Sequence, residues 1–156
     1  MSTGRGELIA ELNMSLREVR DRLLHVTSEV GGQVGLGSIE IGLIDLIART
    51  APVTPGRLAT MTGLNPATIT GVLDRLEDGG WIRRERDAVD RRRVFIHPKA
   101  ERAQELGPKF GVMLKRMSEI YADYSDKELR TLLDFMQKVR DAGDSSVHEL
   151  RAERQT

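Results

Sequence analysis

Two helix starts of the same kind follow each other in the middle of this chain, and they constrain its fold more than any other feature. Thr54-Pro55 and Asn65-Pro66 each place a capping side chain before a proline at the first helical position. There the fixed φ of proline and its missing N–H are assets. Gly63 lies between them and can close the first helix. The spacing predicts a short helix to about Thr62, a tight turn, and a second helix to about Asp78 before Gly79-Gly80. A helix pair joined this way is a helix-turn-helix, whose second helix can enter a major groove. Leu58, Met61, Leu64, Ile69, Val72, Leu73 and Leu76 are the expected core of the pair. Pro66, Ala67, Thr68, Thr70, Gly71 and Asp74 are expected on the exposed face, where small residues allow close approach and threonines can bond bases or phosphates. By itself the pair would suit any all-α bundle.

The next segment shifts the balance. After Gly80 the hydrophobic period changes from helical to alternating: Trp81 to Arg86 and Arg93 to His97 read as two short strands joined by the polar turn 87–92. Arg91, Arg92 and Arg93 stand together at the tip. Adjacent arginines repel one another unless an anion receives them, and arginine suits both phosphate oxygens and a narrow, electronegative minor groove. Asp87 and Asp90 are expected to pair with these arginines and orient them.

The flanks read as helix. From 6 to about 30, Leu8, Leu12, Leu16, Val19, Leu23 and Val26 form one apolar face, with Gly31-Gly32 as the expected stop. The glycines of 31–37 lack the Gly-Lys-Ser/Thr ending of a phosphate loop and read as a connector. Ser38 is the expected cap of a helix running from Ile39 to about Arg49. Beyond Pro98, apolar residues at helical spacing run from Leu106 to Tyr121, with Gly107-Pro108 expected to kink that helix or to set its start. Ser125 and Glu128 form a capping box for a last helix that should end before Gly143. Residues 144–156 are polar, either frayed or a short further helix.

Composition narrows the classes. Aromatics are 4 % of the chain, which favours helix packing over a β-sandwich, and there is no cysteine. Disulfides and thiolate chemistry by this chain are therefore excluded. No signal peptide and no apolar run of membrane-spanning length is present, so a soluble cytoplasmic protein is expected. Net charge is zero, but the segment 49–102 holds 11 Lys and Arg against 7 Asp and Glu, leaving 13 against 17 elsewhere. A basic middle with acidic flanks permits DNA binding. No nucleophile motif, carboxylate pair or cofactor loop marks an enzyme, and no cofactor is expected. His25, His97 and His148 are far apart and show no metal-ligand spacing.

Taken together, these motifs resemble a known family. The segments 52–59 (Pro-Val-Thr-Pro-Gly-Arg-Leu-Ala) and 62–70 (Thr-Gly-Leu-Asn-Pro-Ala-Thr-Ile-Thr) closely resemble the MarR family of bacterial winged helix-turn-helix transcriptional regulators. So does 73–84, from Leu73-Asp74-Arg75 through Trp81-Ile82-Arg83-Arg84. The family's wing signature, an aspartate three before Asp-Arg-Arg, is matched by Asp87 and Asp90-Arg91-Arg92.

The resemblance implies one MarR-type domain over 1–156, mainly α with a small β-hairpin wing. In it a winged helix-turn-helix lobe at 38–98 is flanked by dimerisation helices at 6–31 and 99–143. It implies a homodimeric repressor that binds a pseudo-palindromic operator in double-stranded DNA. Recognition helices would occupy successive major grooves and wings the adjacent minor grooves. The candidate DNA contacts are Thr54, Arg57, Asn65, Pro66, Ala67, Thr68, Thr70, Arg75, Arg84, Asp87, Asp90, Arg91, Arg92 and Arg93. Gly71 departs from relatives that carry arginine or another polar residue there, so a guanine-reading contact from that position is not expected. Release by a small phenolic or lipophilic anion is also implied, with His25 the one polar group placed to orient such a ligand; a helix histidine without a ligand is the commoner case. The alternative from the residues alone is a winged-helix module for protein–protein assembly, against which the tip arginines speak.

Overall fold

The computed structural model describes residues 4–153, and in them eight elements run in the order α1 (Arg5–Val34), α2 (Ser38–Thr50), α3 (Pro55–Thr62), α4 (Pro66–Asp78), β1 (Ile82–Arg86), β2 (Val94–Pro98), α5 (Ala100–Ala122) and α6 (Asp126–Glu153). The chain is mainly α with one antiparallel hairpin, in which Ile82 pairs with Pro98, Arg84 with Ile96 and Arg86 with Val94. Two compact units are present, Met1–Phe110 and Gly111–Thr156, with α5 crossing the boundary.

The first unit holds the core. Ile41, Leu43, Ile44 and Ile47 of α2 pack with Leu58 of α3, with Ile69, Val72, Leu73 and Leu76 of α4, and with Trp81, Ile82 and Ile96 around the hairpin. Val53, between α2 and α3, bonds Ile96 in both directions, N to O at 3.3 Å and O from N at 2.7 Å, which ties the entry of the helix-turn-helix to β2. The start of α5 closes the same corner. Lys99 N donates to Trp81 O at 2.9 Å, and the Arg102 guanidinium lies 4.5 Å from the centroid of the buried Trp81 ring. A cation over an indole face is an attractive pairing.

The predicted starts of the middle helices are present with their bonds. Thr54 Oγ1 accepts from Arg57 N at 3.3 Å, and Asn65 Oδ1 accepts from Ala67 N at 2.7 Å. Gly63 takes the left-handed conformation, φ 73°, that glycine adopts without a Cβ penalty. One expected core residue is misplaced: Met61 is exposed, because it lies on the outer side of the short α3.

Elsewhere several expected boundaries move. Gly31-Gly32 do not end α1; the helix continues to Val34, and Gly35, φ 72°, closes it. Gly31 is buried where the chain doubles back, and a Cβ there would collide with the Leu36 carbonyl oxygen, so its role is close approach rather than termination. Ser38 lies inside α2, and Gly37 is the cap residue, its N–H donating to Glu40 Oε2 at 2.6 Å. The chain turns by 97° between α1 and α2.

Pro108 neither ends nor starts α5, which runs through it from Ala100. An interior proline loses a rung of the helical ladder and crowds the carbonyl one turn back, at a cost of about 3 kcal/mol, and the neighbouring Leu106 and Phe110 are held against the core. Among the described residues no single helix is long and apolar enough to cross a membrane.

The second unit is of another kind. The capping box at its last helix is complete, with Ser125 N donating to Glu128 Oε2 at 2.9 Å and Glu128 N to Ser125 Oγ at 3.4 Å. Gly143 does not stop α6, which continues to Glu153 and so takes up much of the polar segment expected to be frayed or separate. No residue of α6 is buried, and Leu132, Leu133, Phe135, Met136 and Val139 all stand exposed. The apolar face of α1 is likewise uncovered at Leu8, Leu12, Val19 and Leu23.

Candidate nucleic-acid interface

The buried stripe of α4, Ile69, Val72, Leu73 and Leu76, fixes which side of that helix faces solvent. Pro66, Ala67, Thr68, Thr70, Asp74 and Arg75 are exposed, and Gly71 is half-buried. Thr68 and Thr70 differ in what they offer. The Thr70 hydroxyl donates to Pro66 O at 3.0 Å, leaving its oxygen as an acceptor, whereas Thr68 makes no hydrogen bond through its side chain among the described residues. The Asn65 carbonyl oxygen is used in the cap, so its amide N–H groups remain to reach an anion. Arg57, exposed on α3, forms no ion pair among the described residues.

Two arginines of the expected contact set are held by carboxylates. Arg75 Nε donates to Glu40 Oε1 at 2.7 Å, linking α4 to α2. Glu40 is 13 % exposed and Arg75 63 %. The Gly37 N–H and then the Arg75 guanidinium hold the Glu40 carboxyl below its ordinary range. Arg84, on β1, donates to Glu77 at 2.8 Å and Asp74 at 2.6 Å, both on α4, and its own N–H donates to the other Glu77 oxygen at 3.1 Å. Burial works against its charge, but the bonds to Asp74 and Glu77 outweigh that and raise its pKa. Arg84 therefore braces the hairpin against α4. Local sequence signals could not reveal Glu40, Asp74 and Glu77 as partners; the spacing of Asp74 and Glu77 by three on one helix was the only hint.

The wing is organised differently from the sequence expectation. Asp87 and Asp90 do not form ion pairs with the tip arginines; they bind backbone. Asp87 Oδ1 accepts from Val89 N at 2.7 Å and Asp90 N at 3.1 Å, and Asp90 Oδ1 accepts from Arg92 N at 3.1 Å. Short aspartates suit this task, since a side-chain oxygen can reach N–H groups two or three residues on. The two backbone bonds, with a smaller contribution from Arg93, keep the Asp87 carboxyl below its ordinary range. Asp87 N donates to Arg93 O at 3.0 Å and Arg93 N to Asp90 O at 2.9 Å, closing the turn. Arg93 lies over the Phe95 ring at 5.5 Å. Arg91 and Arg92 are exposed and in no ion pair among the described residues, and Val89 beside them is 96 % exposed.

His25 is exposed on α1, its Nε2 3.6 Å from Glu29. His97, on β2, lies 3.6 Å from Glu85, which also pairs with Arg83. Among the described residues no three histidine or carboxylate side chains converge as a metal site would require.

Comparison with known proteins gives a consistent picture. Residues 34–93 match the model of the MarR family. Over 153 residues the chain is 28 % identical to YcgE of Bacillus subtilis strain 168, described as an HTH-type transcriptional regulator, covering 97 % of this chain and 99 % of that protein. It is 28 % identical over 120 residues to the HTH-type transcriptional repressor YetL of the same organism, covering 76 % and 72 %. Among solved structures, Streptococcus pneumoniae FabT in complex with DNA superposes with a TM-score of 0.70 at 20 % identity, covering 88 % of this chain and 98 % of FabT.

Proposed function

We propose that this chain, whose residues 34–93 match the MarR family model, is a transcriptional repressor which binds a pseudo-palindromic operator as a homodimer, with α4 in the major groove and the wing in the adjacent minor groove. The observation that carries this reading is the pair Arg91 and Arg92, exposed on a turn closed by backbone bonds and left without an anionic partner among the described residues. A solvated surface charge is ordinary. Two adjacent ones on a pre-formed tip, in a lobe that also exposes a helix face of small residues and threonines, are groups that phosphates and base edges would receive. The apolar positions left exposed on α1, and separately those on α6, support the homodimer, since an uncovered apolar helix face is what a second copy would cover.

The test is retention of genomic fragments by the purified protein at physiological salt. The proposal expects a discrete set of fragments held above non-specific DNA by a dimer. Uniform, salt-sensitive retention of all fragments would leave the assembly-module alternative in its place. The proposal extends to release of DNA by a small phenolic or lipophilic anion near His25, whose exposed imidazole can meet a carboxylate. Titrating retained complexes with aromatic carboxylates checks this, with His25→Ala expected to shift the release midpoint.

A further inference from the structure

Arg75 is the single basic residue of α4, and it occupies an unusual position. A Cβ built on Gly71, one turn earlier, would stand 3.9 Å from Arg75 Nη1 and meet nothing else within 4 Å. The long side chain thus lies back along the helix, in the direction helical side chains favour, towards the space left by the missing side chain at Gly71. Thr68, Gly71 and Arg75 share one helix face by their spacing of three and four.

The other end of the arrangement is Glu40. One of its carboxylate oxygens accepts from Gly37 N at 2.6 Å, at the joint between α1 and α2, and the other accepts from Arg75 Nε at 2.7 Å. Only Nε is engaged. Both terminal guanidinium nitrogens, the pair that bind a guanine edge or a phosphate in bidentate fashion, make no hydrogen bond among the described residues.

We propose that Glu40 is a positioning residue which, together with the gap at Gly71, presents the Arg75 guanidinium to DNA as the reading group of the recognition helix. This rests on the DNA-binding reading above and deepens it. Position 71 offers no side chain to a base, and the arginine one turn on takes its place. Because the same carboxylate also holds the α1–α2 joint, the placement of this cation is set by the joint as well as by α4. A free arginine would sample many rotamers and lose entropy on binding; a pinned one is pre-organised.

Charge alone predicts the opposite of positioning. Removing the negative charge of Glu40 beside a DNA face should strengthen binding to any duplex. The experiment compares wild type, Glu40→Gln, Arg75→Ala and the double variant on two probes: a duplex recovered by selection from random-sequence DNA with the wild-type protein, and poly(dI-dC). Thermal melting confirms that each variant is folded. The expected result is a fall of about tenfold in the ratio of specific to non-specific affinity for Glu40→Gln, a similar fall for Arg75→Ala, and little further loss in the double variant, the size of one bidentate base contact. Independently of DNA, the Arg75 Nε–H resonance of the free protein should be protected from solvent exchange in wild type and unprotected in Glu40→Gln.

An unchanged or higher ratio in Glu40→Gln would overturn the positioning role while leaving the DNA-binding reading intact. An unprotected Nε–H in wild type would overturn it as well. A wild-type protein from which selection recovers no preferred duplex would instead remove the DNA-binding reading, and the positioning role with it.

Discussion

Arg75 and Arg84 are each held by carboxylates, at α4 and at the strand that braces it, whereas Arg91 and Arg92 on the wing are in no ion pair among the described residues. The two regions solve the same problem by different means. Around α4, side-chain ion pairs and a buried stripe fix both the helix and its cations. At the wing tip two aspartates bond the backbone and leave Arg91 and Arg92 in no ion pair among the described residues. The helix is placed by packing, the wing by its turn. Changes in the buried stripe of α4 should therefore register as stability, and changes at the wing tip as binding.

The largest expected effect tests the packed side. Leu73 is fully buried in α4, and Leu73→Ala should lower stability by about 2–5 kcal/mol, the range for a leucine cavity, in denaturant unfolding. A cost below about 1 kcal/mol would mean that the helix is not held by its core. Next comes the wing. Replacing Arg91 and Arg92 together by alanine should leave the unfolding midpoint unchanged and weaken DNA binding by about 10- to 100-fold. The salt dependence should flatten by roughly 0.9 in slope for every phosphate that the variant no longer neutralises. A variant that melts early but binds normally would invert the comparison.

A smaller effect is expected at Glu40, whose folded pKa lies below its ordinary value of 4.5. A depressed carboxyl stabilises the fold above the unfolded value and loses that contribution as pH falls through the folded one. Wild type should therefore be more stable than Glu40→Gln at neutral pH, and the gap should close on acidification below about pH 4.5; a gap that widens there would contradict the ion pair. The smallest change is expected at Val89, 96 % exposed on the wing. Val89→Ala should alter stability by less than about 0.5 kcal/mol, as for surface sites generally.

Legibility in the sequence divides along the same line. The cap-and-proline starts at Thr54 and Asn65 and the alternation of the hairpin are local signals, and the structure reproduces them with the expected bonds. Glycine and proline elsewhere proved ambiguous. Gly31 and Gly143 lie within helices, and Pro108 within α5. At Gly31 packing outweighs a local cost of about 1 kcal/mol for glycine, the long α6 carries Gly143 with no buried residue, and α5 runs through Pro108 beside Leu106 and Phe110, which pack on the core. Met61 follows the apolar rule in type but not in place, since an eight-residue helix buries only a narrow stripe. The site was legible in its residue types and not in its wiring. Glu40 and Arg75 are 35 positions apart, a separation over which no periodicity carries information. Asp87 and Asp90 were legible as wing residues, but whether an aspartate bonds an arginine or a backbone N–H depends on turn geometry.

In the proposed complex α4 and the wing read one duplex from two grooves. Footprinting of a selected operator with dimethyl sulfate and hydroxyl radicals tests it most directly. Guanine N7 protection is expected in two major grooves about one helical turn, roughly 34 Å, apart, with adjoining minor-groove protection that disappears in the Arg91→Ala, Arg92→Ala variant. Protection confined to one groove, or a minor-groove footprint that survives loss of both arginines, would contradict it.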